Sequence, residues 1–279
     1  MSKTELPTKY DVIEPHSGWR FLNVKEIWDY RDLVYFLFWR DVKARYAQSV
    51  LGFGWAFVQP IFMMIVFTVI FGRLVEVNSD GIPYPLFSYS ALVPWVFFSG
   101  ALAGATGSLP ANRSILNKVY FPRMIIPLST VSARTVDLFI AFLLVAALMV
   151  YYRQIPTGWI VVIPLLVMLA ATTALGMGLW LTALAVRYRD VQYGLSVVTQ
   201  GMIYLSPVVY PVSLVPERFR FWYGLNPMTG VIEGIRSALT GAVPMPWDLI
   251  ATGSVVTALI FVSGSVYFRR MERVYADVV

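Results

Sequence analysis

The sequence predicts an all-α membrane protein with six transmembrane helices. An N-terminal amphipathic interface helix precedes them, and two short re-entrant helices lie between spans five and six. Three observations lead there. Of 279 residues, 58% are hydrophobic and only 14% charged, whereas soluble domains run nearer a quarter charged. Apolar runs recur that reach the ~20 residues needed to cross ~30 Å of hydrocarbon at ~1.5 Å rise per residue. The runs are solid rather than alternating, which fits helices and not barrel strands.

The first ~25 residues are polar, with Pro7, Pro15 and Gly18 and no apolar h-region. They read as a cytoplasmic tail without a cleavable signal peptide. Over residues 26–46, Ile27, Tyr30, Val34, Leu37 and Phe38 recur at helical spacing, and Asp29, Asp32, Arg40 and Lys43 fall on another face. The uninterrupted apolar stretch from Leu33 to Trp39 is too short to span. An amphipathic helix in the headgroup region fits it best, a soluble-domain helix being the alternative. Residues 1–53 thus form a tail and interface helix.

Residues 54–279 form one transmembrane domain, with spans at about 54–73, 86–109, 125–151, 159–186, 193–212 and 249–268. The third carries Arg134 and Asp137, and the fifth is interrupted by Pro207 and Pro211. Lysine and arginine set the orientation. With the N-terminus inside, the inner segments hold sixteen of the 22, among them Arg113, Lys118, Arg123, Arg187, Arg189, Arg269, Arg270 and Arg273. The outer loops hold five: Arg73, Arg153, Arg218, Arg220 and Arg236. Both termini are therefore expected in the cytoplasm.

Four features stand out. The loop from Asn112 to Pro127 carries three basic residues and no acid, and Pro122 ends any helix near Tyr120. It reads either as an ordinary basic loop binding anionic lipid or as a docking helix for a soluble partner. Residues 216–241 are too apolar for a solvated loop and too charged to span. Asn226-Pro227 splits them, and Met228, Val231, Ile232, Ile235 and Leu239 form an apolar stripe opposite Glu233 and Arg236. Two half-helices that dip into the outer leaflet and return account for this, with or without a gating role. Arg134 and Asp137, three apart, partly neutralise each other on one helix face. They suit a structural pair better than a proton relay, which wants an unpaired carboxylate near the midplane. Gly100 and Gly104 make a GxxxG, fit for close packing within the protomer or between two.

Aromatic residues make up 15% of the chain. Trp19, Trp159 and Trp247 suit the interfacial belts, while Phe62, Phe67, Phe71, Trp95, Phe97, Phe98 and Tyr204 lie within spans, where aromatic faces suit sugar C–H surfaces, apolar ligands or lipid. There is no cysteine, and the one histidine, His16, has no companions for a metal site. No phosphate loop, HExxH, GxSxG or calcium loop appears. Uphill transport would need energy from a partner or an ion gradient. Net charge is +6, which on a membrane protein calls for no nucleic acid.

The stretches YRDLVYFLFWRDVKARY (30–46), LGFGWAFVQP (51–60), PYPLFSYSALVPWVFF (83–98), NKVYFPRMIIPLS (117–129) and LNP…R…G (225–241) resemble the type-2 ABC transporter permeases. The likeness is to the membrane subunits that export lipid-linked polysaccharide (O-antigen, capsule or teichoic acid) across the bacterial inner membrane. It runs from about residue 26 to the C-terminus. The resemblance implies a homodimer bound to two copies of a cytoplasmic ABC ATPase, a 2:2 complex in which ATP and Mg sit on the partner and this chain binds no cofactor. It casts Arg113, Asn117, Lys118, Tyr120 and Arg123 as the coupling helix to the ATPase. Pro216, Trp222, Asn226, Pro227 and Arg236 become a periplasmic gate, and the aromatics Phe62, Phe67, Phe71, Trp95, Phe98 and Tyr204 walls of a sugar channel. A glycan is all hydroxyls, so it needs a lined tunnel rather than a passage through lipid. Arg40, Lys43 and Arg45 at the inner surface suit the pyrophosphate of a polyprenyl carrier.

Two alternatives stand beside this reading. A related permease exporting a drug or other small amphiphile is separated from it only weakly by the aromatic content. A membrane-embedded lipid-processing enzyme would need clustered acids or histidines. The outer acids Glu76, Asp80, Glu217, Glu233 and Asp248 are instead scattered along the sequence.

Overall fold

A computed structural model describes residues 24–47, 54–116, 118 and 121–275. All the regular secondary structure among these residues is helical. Two N-terminal helices, α1 (Val24–Asp29) and α2 (Arg31–Tyr46), come first. Next is α3 (Trp55–Phe67), which continues as a π-helical turn over Thr68–Leu74. Then follow α4 (Tyr84–Ala111), the short α5 (Arg113–Leu116), α6 (Ile125–Tyr151), α7 (Ile163–Arg187) and α8 (Asp190–Met202). The chain closes with α9 (Glu217–Gly224), α10 (Pro227–Thr240) and α11 (Trp247–Tyr275).

Five helices among the described residues are long and apolar enough to cross a membrane: Phe57–Leu74, Tyr84–Ala111, Ile125–Tyr151, Gly158–Arg187 and Trp247–Glu272. The expected sixth, residues 193–212, is not one of them. Its helix α8 has 13 residues and stops at Met202, after which the backbone closes only tight turns, Tyr204 N to Gly201 O at 3.1 Å and Leu205 N to Met202 O at 3.2 Å. Pro207 and Pro211 have no N–H to continue a helical ladder, and each disfavours helix in the residue before it.

α4 is the central helix, packed against α6, α7, α10 and α3, while α11 packs on α7 and α10. Most of α4 is buried, including Ser88, Ser90, Thr106 and Ser108. These hydroxyls donate back to carbonyls one turn earlier, as Thr106 does to Leu102 at 2.8 Å and Ser108 to Ala105 at 2.7 Å. A buried hydroxyl so satisfied costs little. Gly100 and Gly104 face α6, opposite Arg134 and Thr130, so this GxxxG serves packing inside the protomer.

The helix ends sort into two groups. At one, Tyr84 Oη donates to Val209 O (2.8 Å), Ser213 Oγ to Asp80 (2.9 Å) and Thr157 Oγ1 to Ala238 O (2.9 Å), while Trp159 and Trp247 meet edge to face at 5.4 Å. At the other, Arg123 N donates to Glu272 (3.2 Å) and Arg113 reaches Val186 O (3.5 Å). α4, α7 and α11 thus run from the first end to the second, and α6 runs back. Residues 190–209 also run from the second end to the first, as a short helix followed by turns.

The two helices expected between Pro216 and Gly241 form, but nothing identifies them as re-entrant. The second, α10, is enclosed by α4, α7 and α11. The stripe Met228, Val231, Ile232, Ile235 and Leu239 is buried as its spacing implies, yet Glu233 and Arg236 opposite it are buried too. They form an ion pair with each other at 2.7 Å, which is why the polar side needs no water. Asn226 caps α10, its side chain accepting from Met228 N at 3.1 Å, and Pro227 fills the first helical position. Asn226→Ala should lower stability by about 1–2 kcal/mol, read as a lower melting temperature in detergent.

Candidate functional site

Three features of the chain have the makings of a functional site. The first is the basic end of the bundle. Arg113, Lys118, Arg123, Arg187, Arg189, Arg269 and Arg270 come from separate segments, and they gather at one end because α4, α7 and α11 finish where α6 begins. Arg113 and Lys118 are exposed. α5 is a single turn, and Arg123 is held by its backbone to Glu272 on α11. Of the residues expected in the coupling loop, Asn117 and Tyr120 lie outside the described residues.

The second is the broken passage after α8. Tyr193, Val197, Val198, Tyr204 and Leu205 are exposed, whereas Ser206, Val208 and Val209 are buried. Arg236, only 1% exposed, fixes this segment: its Nη2 donates to Pro207 O at 2.7 Å, its Nη1 to Glu233 at 2.7 Å, and its guanidinium lies 3.7 Å from the centroid of Phe87 on α4. Glu233 in turn accepts from Val212 N at 3.1 Å. Asn226 joins in, donating to Ser206 Oγ at 2.9 Å. Buried non-helical backbone needs partners for its polar groups, and here α10 supplies them to Pro207 O and Val212 N. Trp222 and Pro216 are exposed on and beside α9, away from this network.

The third is an ion cluster near the middle of α6. α2 runs in the same sense as α6: Thr130 Oγ1 donates to Asp41 at 3.0 Å, and one turn later Arg45 and Tyr46 both donate to Asp137. Arg134 reaches the same carboxylate at 3.5 Å. Burial, and then the bond to Asp137, pushes the Tyr46 phenol up to about 12, so it stays a neutral donor. Twelve residues separate Asp137 from the start of α6, about 18 Å of rise. Beside the cluster lies a cavity of about 140 Å³ lined by Arg45, Tyr46, Trp55, Gln59, Arg134 and Asp137, among others. The other two cations expected to hold the carrier's pyrophosphate differ: Arg40 is paired with its neighbour Asp41 at 2.7 Å, and Lys43 is exposed.

The aromatic residues divide. Phe67, Trp95 and Phe98 are buried in the protomer's own core, Phe71 is half-buried, and Phe62 and Tyr204 are exposed. Sequence reasoning missed Tyr46, Gln59 and the burial of Glu233. The signal for Glu233 was present: it stands three residues before Arg236, the same opposite-charge spacing as Arg134 and Asp137. The three acids Asp80, Glu217 and Glu233 come from segments near the same end, but the described residues hold no acid or histidine cluster fit for a metal.

Residues 32–240 match the model of the ABC-2 type transporter family. Over 252 residues, 89% of this chain and 96% of the relative, it is 30% identical to the O-antigen export system permease protein RfbA of Myxococcus xanthus. It is 24% identical to the polysialic acid transport protein KpsM of Escherichia coli over 212 residues, 73% of this chain and 79% of that one. To the capsule polysaccharide export inner-membrane protein CtrC of Neisseria meningitidis serogroup A it is 27% identical over 236 residues, 80% of this chain and 86% of that one.

Proposed function

This chain belongs to the ABC-2 type transporter family, and on that premise we propose that it is the membrane subunit of an exporter of lipid-linked polysaccharide, with O-antigen the first glycan to test. Family membership makes it a multi-span transport permease rather than an enzyme. The observation that carries the glycan reading is the near full-length similarity to a protein named for O-antigen export, together with relatives named for polysialic acid and capsule.

In this reading the basic end faces the cytoplasm of a bacterial inner membrane, as the retention of positive charge on that side favours. Both α2, which starts from that end, and α11, which finishes there, then put the termini inside. Two copies of the chain meet two copies of an ATPase that holds the ATP and Mg. Arg113, Lys118 and Arg123, with Asn117 and Tyr120, receive its stroke. Phe62, Phe71 and Tyr204, the expected channel aromatics that keep exposed surface, line the glycan path. The turns after α8, with Asn226, Pro227 and Arg236 behind them and Pro216 and Trp222 at their flank, form its outer end. Arg40 and Lys43, with Arg45 deeper beside Asp137, attract the polyprenyl pyrophosphate from the inner surface.

The test is purification of the tagged chain with its gene neighbours co-expressed. A 2:2 complex with an ATP-binding subunit, and loss of surface glycan when this chain is deleted, are the expected results. Recovery of the chain without an ATPase, together with unchanged surface glycan, would refute the reading. A sharper variant reverses the exposed charges: Arg113→Glu with Lys118→Glu should cut ATPase recovery by about tenfold, because misplaced like charges cost several kcal/mol at an interface. The amount of chain in the membrane should not change, since neither side chain is buried.

A further inference from the structure

The ion cluster at the cavity is out of balance. Two guanidiniums and a phenol share the single carboxylate of Asp137. Arg45 has a direct bond to it, but Arg134 reaches it only at 3.5 Å, and the Arg134 Nε is buried with no hydrogen-bond partner. An arginine does not shed its proton to escape this. The cavity therefore presents an excess positive charge near the middle of a membrane helix, where a lone charge costs several kcal/mol, while the unused Nε is buried beside Gly100 of α4. Gln59 on α3 adds a neutral polar group to the same wall.

One neighbour says what kind of anion belongs there. Trp55, which lines the cavity, begins an apolar stripe along the outside of α3: Trp55, Val58, Phe62 and Ile65, all 42–64% exposed. The spacing of three and four puts them on one helix face. A ligand with its charged group between Arg45 and Arg134 has an uninterrupted apolar track for a hydrocarbon tail.

We propose that this cavity binds the phosphate group of a lipid, held by Arg134 and Arg45 in competition with Asp137, with the tail along α3. It rests on the export reading only in taking a membrane lipid as the carrier of the phosphate. Binding has a mechanical consequence. Arg45 and Tyr46 end α2, and their bonds to Asp137 tie that helix to α6. A phosphate that takes Arg45 from Asp137 loosens the tie, so occupancy of the cavity is felt by the N-terminal helix.

The test is equilibrium binding of radiolabelled farnesyl phosphate to the purified full chain in non-ionic detergent, with farnesol and inorganic phosphate as competitors. Arg134→Gln should weaken binding by about tenfold or more, the worth of one charge-assisted hydrogen bond. Asp137→Asn should tighten it severalfold, by removing the internal competitor and a repelling charge. Arg153→Gln, at the opposite end, should leave it unchanged. The opposite signs separate binding from misfolding, which would lower both. Equal affinity for wild type and Arg134→Gln, or weakening by Asp137→Asn, overturns the proposal. Inorganic phosphate that competes as well as the lipid overturns the lipid as its source. None of these readings needs the ATPase, so failure here leaves the export reading standing, and failure to recover an ATPase leaves this one standing.

Discussion

Arg236→Met should destabilise the protein by about 3–5 kcal/mol, the cost of leaving one partner of a buried ion pair alone. The guanidinium is 1% exposed and makes three contacts at once: Glu233 on its own helix, the carbonyl of Pro207, and the face of Phe87 on α4. Its loss strands Glu233, itself 5% exposed, and takes the donor from a carbonyl in a segment that has no helical ladder. Glu233→Leu combined with Arg236→Met should be less damaging than Arg236→Met alone. Removing both charges abolishes the uncompensated one, although Pro207 O and Val212 N still lose partners worth about 1–3 kcal/mol each. Thermal melting of wild type, Glu233→Leu, Arg236→Met and the double variant in one detergent measures the order. If the double variant falls at the sum of the single ones, Arg236 and Glu233 are not the coupled pair described here. Export should fail before folding does, because the pair anchors Pro207 and Val212 in turns that have no helical ladder of their own.

This pair also shows where the sequence stops being readable. The long apolar runs announced α4, α6, α7 and α11 with ends close to those observed, because exclusion from water is written in composition alone. Residues 193–212 have composition enough for a span, and Pro207 and Pro211 were visible, but composition cannot say that the helix gives out at Met202. That depends on carbonyl partners supplied from α10, some thirty residues later. Charge misled in the same way. Glu233 and Arg236 read only as the polar side opposite the apolar stripe, since charged residues are seldom buried unless paired, and the pairing is invisible until α10 is enclosed. Arg134 and Asp137 were legible as neighbours on one helix, yet their real partners, Arg45 and Tyr46, lie 92 and 91 residues from Asp137. Local spacing therefore revealed half the ion cluster and none of the cavity.

The crossing of α7 and α11 should prove as intolerant as Arg236. Gly176 and Gly264 face each other there. A Cβ on Gly264 would collide with the carbonyl oxygen of Gly176, and one on Gly176 would lie 2.8 Å from the Cα of Phe261. Both obstacles are backbone, so no side chain can swing aside and the helices themselves must separate. Overpacking of a tight core costs about 1–3 kcal/mol and more where relaxation is blocked, which puts Gly264→Val at or above the top of that range. Gly176→Ala with Gly264→Ala should cost less than the two single changes summed, because one separation of the helices relieves both. Gly194 and Gly201 on α8 are the counter-case. Each has open space where its Cβ would go, and helical alanine is favoured over glycine by about 0.5–1 kcal/mol. Gly201→Ala should leave the melting temperature unchanged or raised, and Gly201→Leu should do no worse to stability, yet it crowds the exposed face that carries Tyr204. Surface glycan that falls with Gly201→Leu at constant protein level would tie this face to transport. Surface glycan and stability both unchanged would remove α8 from the glycan path.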